Sequence, residues 1–194
     1  MFTELGWSLN FESGSILQQT DSFLVLYKDS NDGKGYLQRY FWNGGAIDAD
    51  SKVLVEPAAS NMRPTAFVEY GTGLTALAAY NVNNVLLQYN ATDKLGSNWV
   101  APELTDVSQS GQFAPVMTNA YGGLMAAWTD VNSMSVQSAF SADGTAGSWE
   151  SANTVLDAIP VMERKELKRV GLHPCMAFIV EQNDVKVVMF YIFY

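Results

Sequence analysis

Apolar and polar positions alternate in short bursts along this chain. Leu124–Thr129 is apolar, Asp130–Ser133 is polar, Met134–Phe140 alternates, and Ser141–Gly147 is again polar and rich in Gly. Bursts of five to eight residues bounded by Gly, Asn, Asp and Ser predict β-strands joined by tight turns. Before residue 160 no segment sustains a 3.6-residue period, so helical repeats are disfavoured. The pattern also recurs. A shift of fifty residues brings Gly73-Leu74 onto Gly123-Leu124, Ala76 onto Ala126, Asp93 onto Asp143 and Trp99 onto Trp149. Further back, Leu37-Gln38 meets Leu87-Gln88, and near the end Pro160-Val161-Met162 echoes Pro115-Val116-Met117.

Four antiparallel strands in each repeat of forty to fifty residues describe a propeller blade. The predicted fold is an all-β propeller of four four-stranded blades, a single domain over 1–194. The blades fall at about 14–56, 63–104, 114–156 and 160–194. In the first, the second strand is expected at Phe23–Asp29 and the third at Tyr36–Trp42. The fourth has strands at Cys175–Glu181 and Val185–Tyr194 and no outer strand of its own. The segment Leu5–Phe11 is expected to supply it, because Gly6-Trp7 resembles Ser148-Trp149 at the start of an outer strand. Closure of this kind removes exposed sheet edges. The alternatives are a fragment of a larger propeller, a ring completed by a second chain, and a β-sandwich. Ring closure predicts a monomer, and an open ring predicts a homo-oligomer.

Composition narrows the function classes. Apolar residues are 48% of the 194 and charged residues 16%, which excludes a disordered chain. The net charge of −9 disfavours nucleic acid as a partner. No apolar run reaches the roughly 20 residues of a membrane-spanning helix. Met1-Phe2-Thr3-Glu4 opens without the basic start of an export signal. One Cys, Cys175, excludes an internal disulfide, and one His, His173, excludes a multi-histidine metal site.

The turn Ser141-Ala142-Asp143-Gly144-Thr145-Ala146-Gly147-Ser148-Trp149 resembles the Asp-box of sialidase-like propellers, with one extra residue. Thr92–Trp99 resembles it more loosely, and the first blade has no copy. Pro115–Asp157 as a whole is similar to blades of bacterial surface and secreted propeller proteins. That resemblance implies an extracellular or cell-surface setting. Asp93 and Asp143 are expected to be turn residues, each carboxylate accepting backbone N–H groups, with the Trp packed between sheets. The arginines that a sialidase would need are sparse: Arg39, Arg63, Arg164 and Arg169, with Glu69-Tyr70 adjacent on one strand.

The turns between second and third strands lie on one face of the predicted ring. They are Asp29–Gly35, Asn81–Asn84, Asp130–Ser133 and Glu181–Asp184, with five carboxylates against one lysine. Asp29, Asn31, Asp32, Asn83, Asp130, Asn132, Glu181 and Asn183 are the candidate ligand contacts, with Tyr80 and Trp128 beside them to stack on a sugar ring. Against this stands a plain reading: Asn, Asp and Gly are what tight turns use. Oxygen-rich turns also suit calcium, although Asp29–Gly33 is one residue short of the familiar Asp-x-Asn-x-Asp-Gly spacing. No cofactor is otherwise implied. The charged run Glu163–Val170 is expected to form one or two helical turns inserted between strands. Four similar turns favour a non-catalytic module that binds a ligand or partner, carbohydrate among them. The alternatives are a small glycan-active hydrolase of sialidase-like fold and a structural piece of a larger surface propeller.

Overall fold

The computed structural model describes residues 11–29, 31–56, 63–80, 85–108, 115–130, 133–157, 161–182 and 185–194. The fold is all-β, a four-bladed propeller of four antiparallel sheets. The first sheet holds β1 (Phe11–Gln18), β2 (Ser22–Asp29) and β3 (Gly35–Asn43), with β4 (Ala46–Ala49) and β5 (Val53–Glu56) both paired to β3. The second runs β6 (Arg63–Tyr70), β7 (Gly73–Tyr80), β8 (Val85–Ala91), β9 (Glu103–Ser108). The third runs β10 (Val116–Ala120), β11 (Gly123–Asp130), β12 (Ser135–Ser141), β13 (Asn153–Leu156). The fourth has β14 (Val161–Val170), β15 (His173–Gln182) and β16 (Val185–Ile192). One 3-10 turn, Ala146–Ser148, is the helical element among the described residues. Neighbouring blades touch through their first strands, β1 with β6, β6 with β10, and β10 with β14.

The cores lie between blades, so the second strands are apolar on both faces. In β7, Leu74, Ala76 and Ala78 join Leu24, Leu26 and Leu37 of the first blade, whereas Leu77 faces the third. In β11, Leu124, Ala126 and Trp128 pack toward the second blade, and Met125 and Ala127 toward Met176 and Phe178 of the fourth. Burial on both faces explains runs such as Leu74–Ala78, where a one-sided strand would alternate. Each fully buried Leu or Phe contributes roughly 1.5–3 kcal/mol.

The fifty-residue echo has a physical cause. A Cβ on Gly73 would sit 1.8 Å from the carbonyl oxygen of Ala91, and one on Gly123 2.1 Å from that of Ser141. The backbones of the second and third strands approach too closely there for any side chain. Glycine therefore recurs at the start of β7 and of β11.

One expectation is corrected. Glu163–Val170 is not a helical insertion but most of β14, the innermost strand of its blade. Leu167 is buried in the core between the third and fourth blades, while Lys168 and Arg169 are exposed. An innermost strand borders the open axis, so charged side chains there keep water. A register shift between Val161 and Lys165 accommodates the extra length. The segment Leu5–Asn10, expected to close the ring, lies outside the described residues, and Phe11 belongs to β1. The fourth sheet has β16 at its edge, with Val185–Phe190 exposed throughout.

Candidate functional site at the central channel

The four innermost strands enclose a channel of about 1120 Å³. Where each strand turns back into its neighbour, the chain presents positions 19, 69, 119 and 169, one per blade and fifty apart. These are Gln19, Glu69, Asn119 and Arg169, and all four line the channel. Glu69 is the hub. Its Oε2 lies 3.2 Å from Lys94 Nζ, and its Oε1 accepts from Gln19 Nε2 at 3.3 Å. The same Gln19 nitrogen also donates to the Lys94 carbonyl at 2.7 Å. Asn119 Nδ2 donates to the Glu69 carbonyl at 2.7 Å. The first, second and third blades thus meet at one residue.

Asp21 and Lys168 line the same mouth. Among the described lining residues, two carboxylates, Asp21 and Glu69, face three cations, Lys94, Lys168 and Arg169. The mouth carries a positive excess in a chain of net charge −9. Arg39 does not take part, because it is paired with Asp50 at 2.7 Å and sits over the Phe41 ring.

The described candidates among those read from the sequence lie at the other end of the blades. Asp29, Asn31 and Asp32 come together in one turn. Asp29 Oδ1 accepts from Asn31 N at 3.0 Å and Asn31 Nδ2 at 2.9 Å, and its Oδ2 from Lys52 Nζ at 2.9 Å. The hydrogen bond from Lys52, then that from the Asn31 backbone, holds the Asp29 carboxyl below its ordinary range. The cation beside Asp29 is therefore Lys52, which also lies 4.0 Å over the Tyr36 ring. Asp32 accepts from Tyr36 Oη at 2.6 Å and Lys34 N at 3.0 Å, which lowers it in turn. These groups satisfy one another, with Lys52 reaching the turn from outside it.

Trp128 is 1% exposed and packs between the second and third blades, where it cannot stack on a ligand. Asp130 ends β11 and accepts from Ser133 N at 3.4 Å. Tyr80 ends β7 and Glu181 lies in β15, and their side chains are not among those described. Asn83, Asn132 and Asn183 lie outside the described residues. Among the described residues, no group of three His, Cys, Asp or Glu side chains could hold a metal ion.

Asp93 and Asp143 are turn residues. Asp93 accepts from Leu95 N at 2.9 Å and Ser97 N at 3.2 Å. Burial pushes the Asp93 carboxyl up, but these backbone bonds together hold it below its ordinary range. Asp143 accepts from Thr145 N at 2.9 Å and Thr145 Oγ1 at 2.7 Å. The Ser148 hydroxyl, followed by Thr145, pulls Asp143 down to about 2.

The channel mouth was legible in principle. The same fifty-residue shift that pairs Gly73 with Gly123 aligns Gln19, Glu69, Asn119 and Arg169. Attention to recurring Asn in the turns led to the opposite end.

No protein-family model matches the sequence, and no curated protein matches it. Solved structures do resemble the fold. A GH43 β-xylosidase/α-arabinofuranosidase from a compost microbial metagenome, in complex with xylotriose, matches with a TM-score of 0.61 at 6% identity, over 92% of this chain and 68% of that one. A sialidase of Trypanosoma rangeli in complex with sialic acid matches at 0.51 and 12% identity, over 87% of this chain and 28% of that one. A GH32 β-fructofuranosidase of Bombyx mori in complex with sucrose matches at 0.51 and 12%, over 90% and 44%. At these identities the likeness is one of fold, a propeller shared with glycoside hydrolases. That finding overturns the non-catalytic binding module in favour of the glycan-active alternative. Similar turns suggested evenly repeated contacts, yet the mouth brings together amides, carboxylates, lysines and a guanidinium from different blades.

Proposed function

We propose that this protein is a small glycan-active hydrolase of sialidase-like fold that cleaves a glycosidic bond at the mouth of its central channel. The observation that carries this reading is the Glu69 carboxylate. It lines the channel, is held between Lys94 and Gln19, and shares the mouth with a second carboxylate, Asp21. Glycoside hydrolysis needs two carboxyl groups flanking a bond whose cleavage develops positive charge on the sugar. Glu69, paired with Lys94, stabilises that charge. Asp21 gives a proton to the departing oxygen. Water then adds to the anomeric carbon and returns a proton to Asp21. Arg169, Lys168 and the amides of Gln19 and Asn119 orient the sugar. The fold relatives solved with xylotriose, sialic acid and sucrose support a saccharide as the ligand. The carboxylate-capped turns at Asp93 and Asp143 support an Asp-box blade, and with it an extracellular or cell-surface setting.

The test is release of nitrophenol from a panel of nitrophenyl xyloside, arabinofuranoside, galactoside and sialoside. Turnover of at least one by the wild-type chain, lost by a factor of about 100 or more in both Glu69→Gln and Asp21→Asn, is expected for positioned carboxylates. Turnover that survives both substitutions would place the chemistry elsewhere.

A further inference from the structure

The fourth blade lacks an outer strand among the described residues, and its edge strand β16 lies open. Val185–Phe190 is exposed throughout, with Phe190 71% exposed. The corresponding strands β8 and β12 are mostly buried, each paired to an outer strand, β9 or β13. β15 turns Met176 and Phe178 toward the third blade, so Ala177 and the Phe190 opposite it face the first. Across that seam the first blade presents Val25, Tyr27 and Tyr40, a cluster without a member from another blade among the described residues. The other clusters each join two blades. An apolar edge with unpaired N–H and C=O groups is a template for a further strand.

The phase of the repeat identifies the missing strand. β5, β9 and β13 begin at Val53, Glu103 and Asn153, fifty residues apart. They also pair alike. Val53 pairs with Leu37, Glu103 with Gln88 and Asn153 with Ser138. On the second strands these partners stand opposite Leu26, Leu77 and Ala127. The fourth-blade counterpart is Phe190, opposite Ala177. Fifty residues before Val53 stands Thr3. The neighbouring pairs Tyr36–Leu54, Leu87–Leu104 and Gln137–Thr154 match Met189 with Glu4 in the same way. Residue type agrees. Val55, Thr105 and Val107 are buried at the inward positions, and Leu54, Leu104 and Thr154 are exposed at the outward ones. The N-terminal segment offers Leu5 and Trp7 at inward positions and Glu4 at an outward one.

We infer that the open edge of β16 is a docking strip for this chain's own residues Thr3–Trp7, which pair with it antiparallel, Thr3 opposite Phe190 and Glu4 opposite Met189. Leu5 and Trp7 then join Phe190 against Val25, Tyr27 and Tyr40 and close the seam between the fourth and first blades. The strand starts two residues before the stretch Leu5–Phe11 and stops short of Phe11, which belongs to β1. Ser8–Asn10 is the link between them. This inference goes beyond the glycan reading and stands without it. The competing occupant is the same edge of a second copy of this chain.

The experiment places pairs of cysteines in the full chain, with Cys175→Ala throughout, and oxidises them with diamide. Directly opposed residues hold their Cβ atoms about 4.5–5.5 Å apart, whereas a slip of two residues widens this to about 7–8 Å. A disulfide forms readily at the first spacing only. Thr3→Cys with Phe190→Cys, and Glu4→Cys with Met189→Cys, should each crosslink within one chain, about 10-fold faster than Thr3→Cys with Val188→Cys. Failure of either folded pair to crosslink, a faster reaction with Val188→Cys, or crosslinks that join two chains overturns the inference. Wild type supplies a second reading that needs no substitution. The amide hydrogens of Val185–Phe190 should exchange as slowly as those of β8, which is paired on both sides. Exchange at the rate of an unpaired edge also overturns it.

Discussion

Trp149 Nε1 donates to Gln88 Oε1 at 2.7 Å, across the boundary between the third and second blades. Gln88 is wholly buried, and its Nε2 returns a bond of 2.6 Å to the carbonyl of Gly144. One side chain thus satisfies two polar groups of a neighbouring turn that would otherwise be stranded in an apolar interface. Gln88→Leu keeps the volume and removes both bonds. It should lower stability by about 2–4 kcal/mol, since each stranded buried group costs about 1–3 kcal/mol. The check is urea denaturation, where a change below about 1 kcal/mol would mean that water replaces the amide.

Gly144 is the other half of that joint. Its φ is +73°, and a Cβ there would lie 2.1 Å from Tyr70 Cε1. Gly144→Ala meets both left-handed backbone strain and the Tyr70 ring. A loss of at least about 2 kcal/mol is expected from the two effects together. A melt unchanged by the substitution would show that the turn moves away from the second blade freely.

The acid limb of stability tests the turn carboxylate. Hydrogen bonds from Ser148 and Thr145 lower Asp143 from 3.8 to about 2 in the folded chain. A depressed carboxyl adds stability that is fully present above its ordinary value and is lost as pH falls through the folded one. The wild-type melting temperature should therefore fall more steeply between pH 4 and 2 than that of Asp143→Asn. Parallel curves would remove Asp143 from the account.

Lys94 separates function from folding. Its ion pair with Glu69 is exposed enough to add no more than about 1 kcal/mol to stability. Lys94→Met should melt within a few degrees of wild type yet hydrolyse its best substrate about 10-fold more slowly. Equal losses in melting and turnover would make the pair a structural strut.

Legibility in the sequence followed what each residue does physically. Gly73 and Gly123 announced the repeat because a backbone contact forbids any other residue there. Leu124–Thr129 announced a strand by its apolar run, and burial of Leu124–Trp128 on both faces is the cause. By contrast, Glu163–Val170 looked helical because interspersed charges are common on solvated helices. Only the ring tells that an innermost strand has water beside it and can carry Lys168 and Arg169. The turn Asp29–Gly35 drew attention for its carboxylates, yet Lys52, distant in sequence, occupies Asp29. Trp128 sat at the right strand end for a ligand platform, but which face of β11 meets a neighbouring blade is a tertiary fact. The channel mouth is assembled from four residues fifty apart that differ in chemistry, so no local motif marks it.

The proposed reaction breaks a glycosidic bond beside Glu69. The most direct measurement is proton NMR of the anomeric region while wild type and Glu69→Gln are each incubated with the nitrophenyl glycoside that the panel selects. New signals of the free sugar should grow with wild type and stay absent with folded Glu69→Gln. Free sugar released equally by both, or by neither across the whole panel, would contradict it.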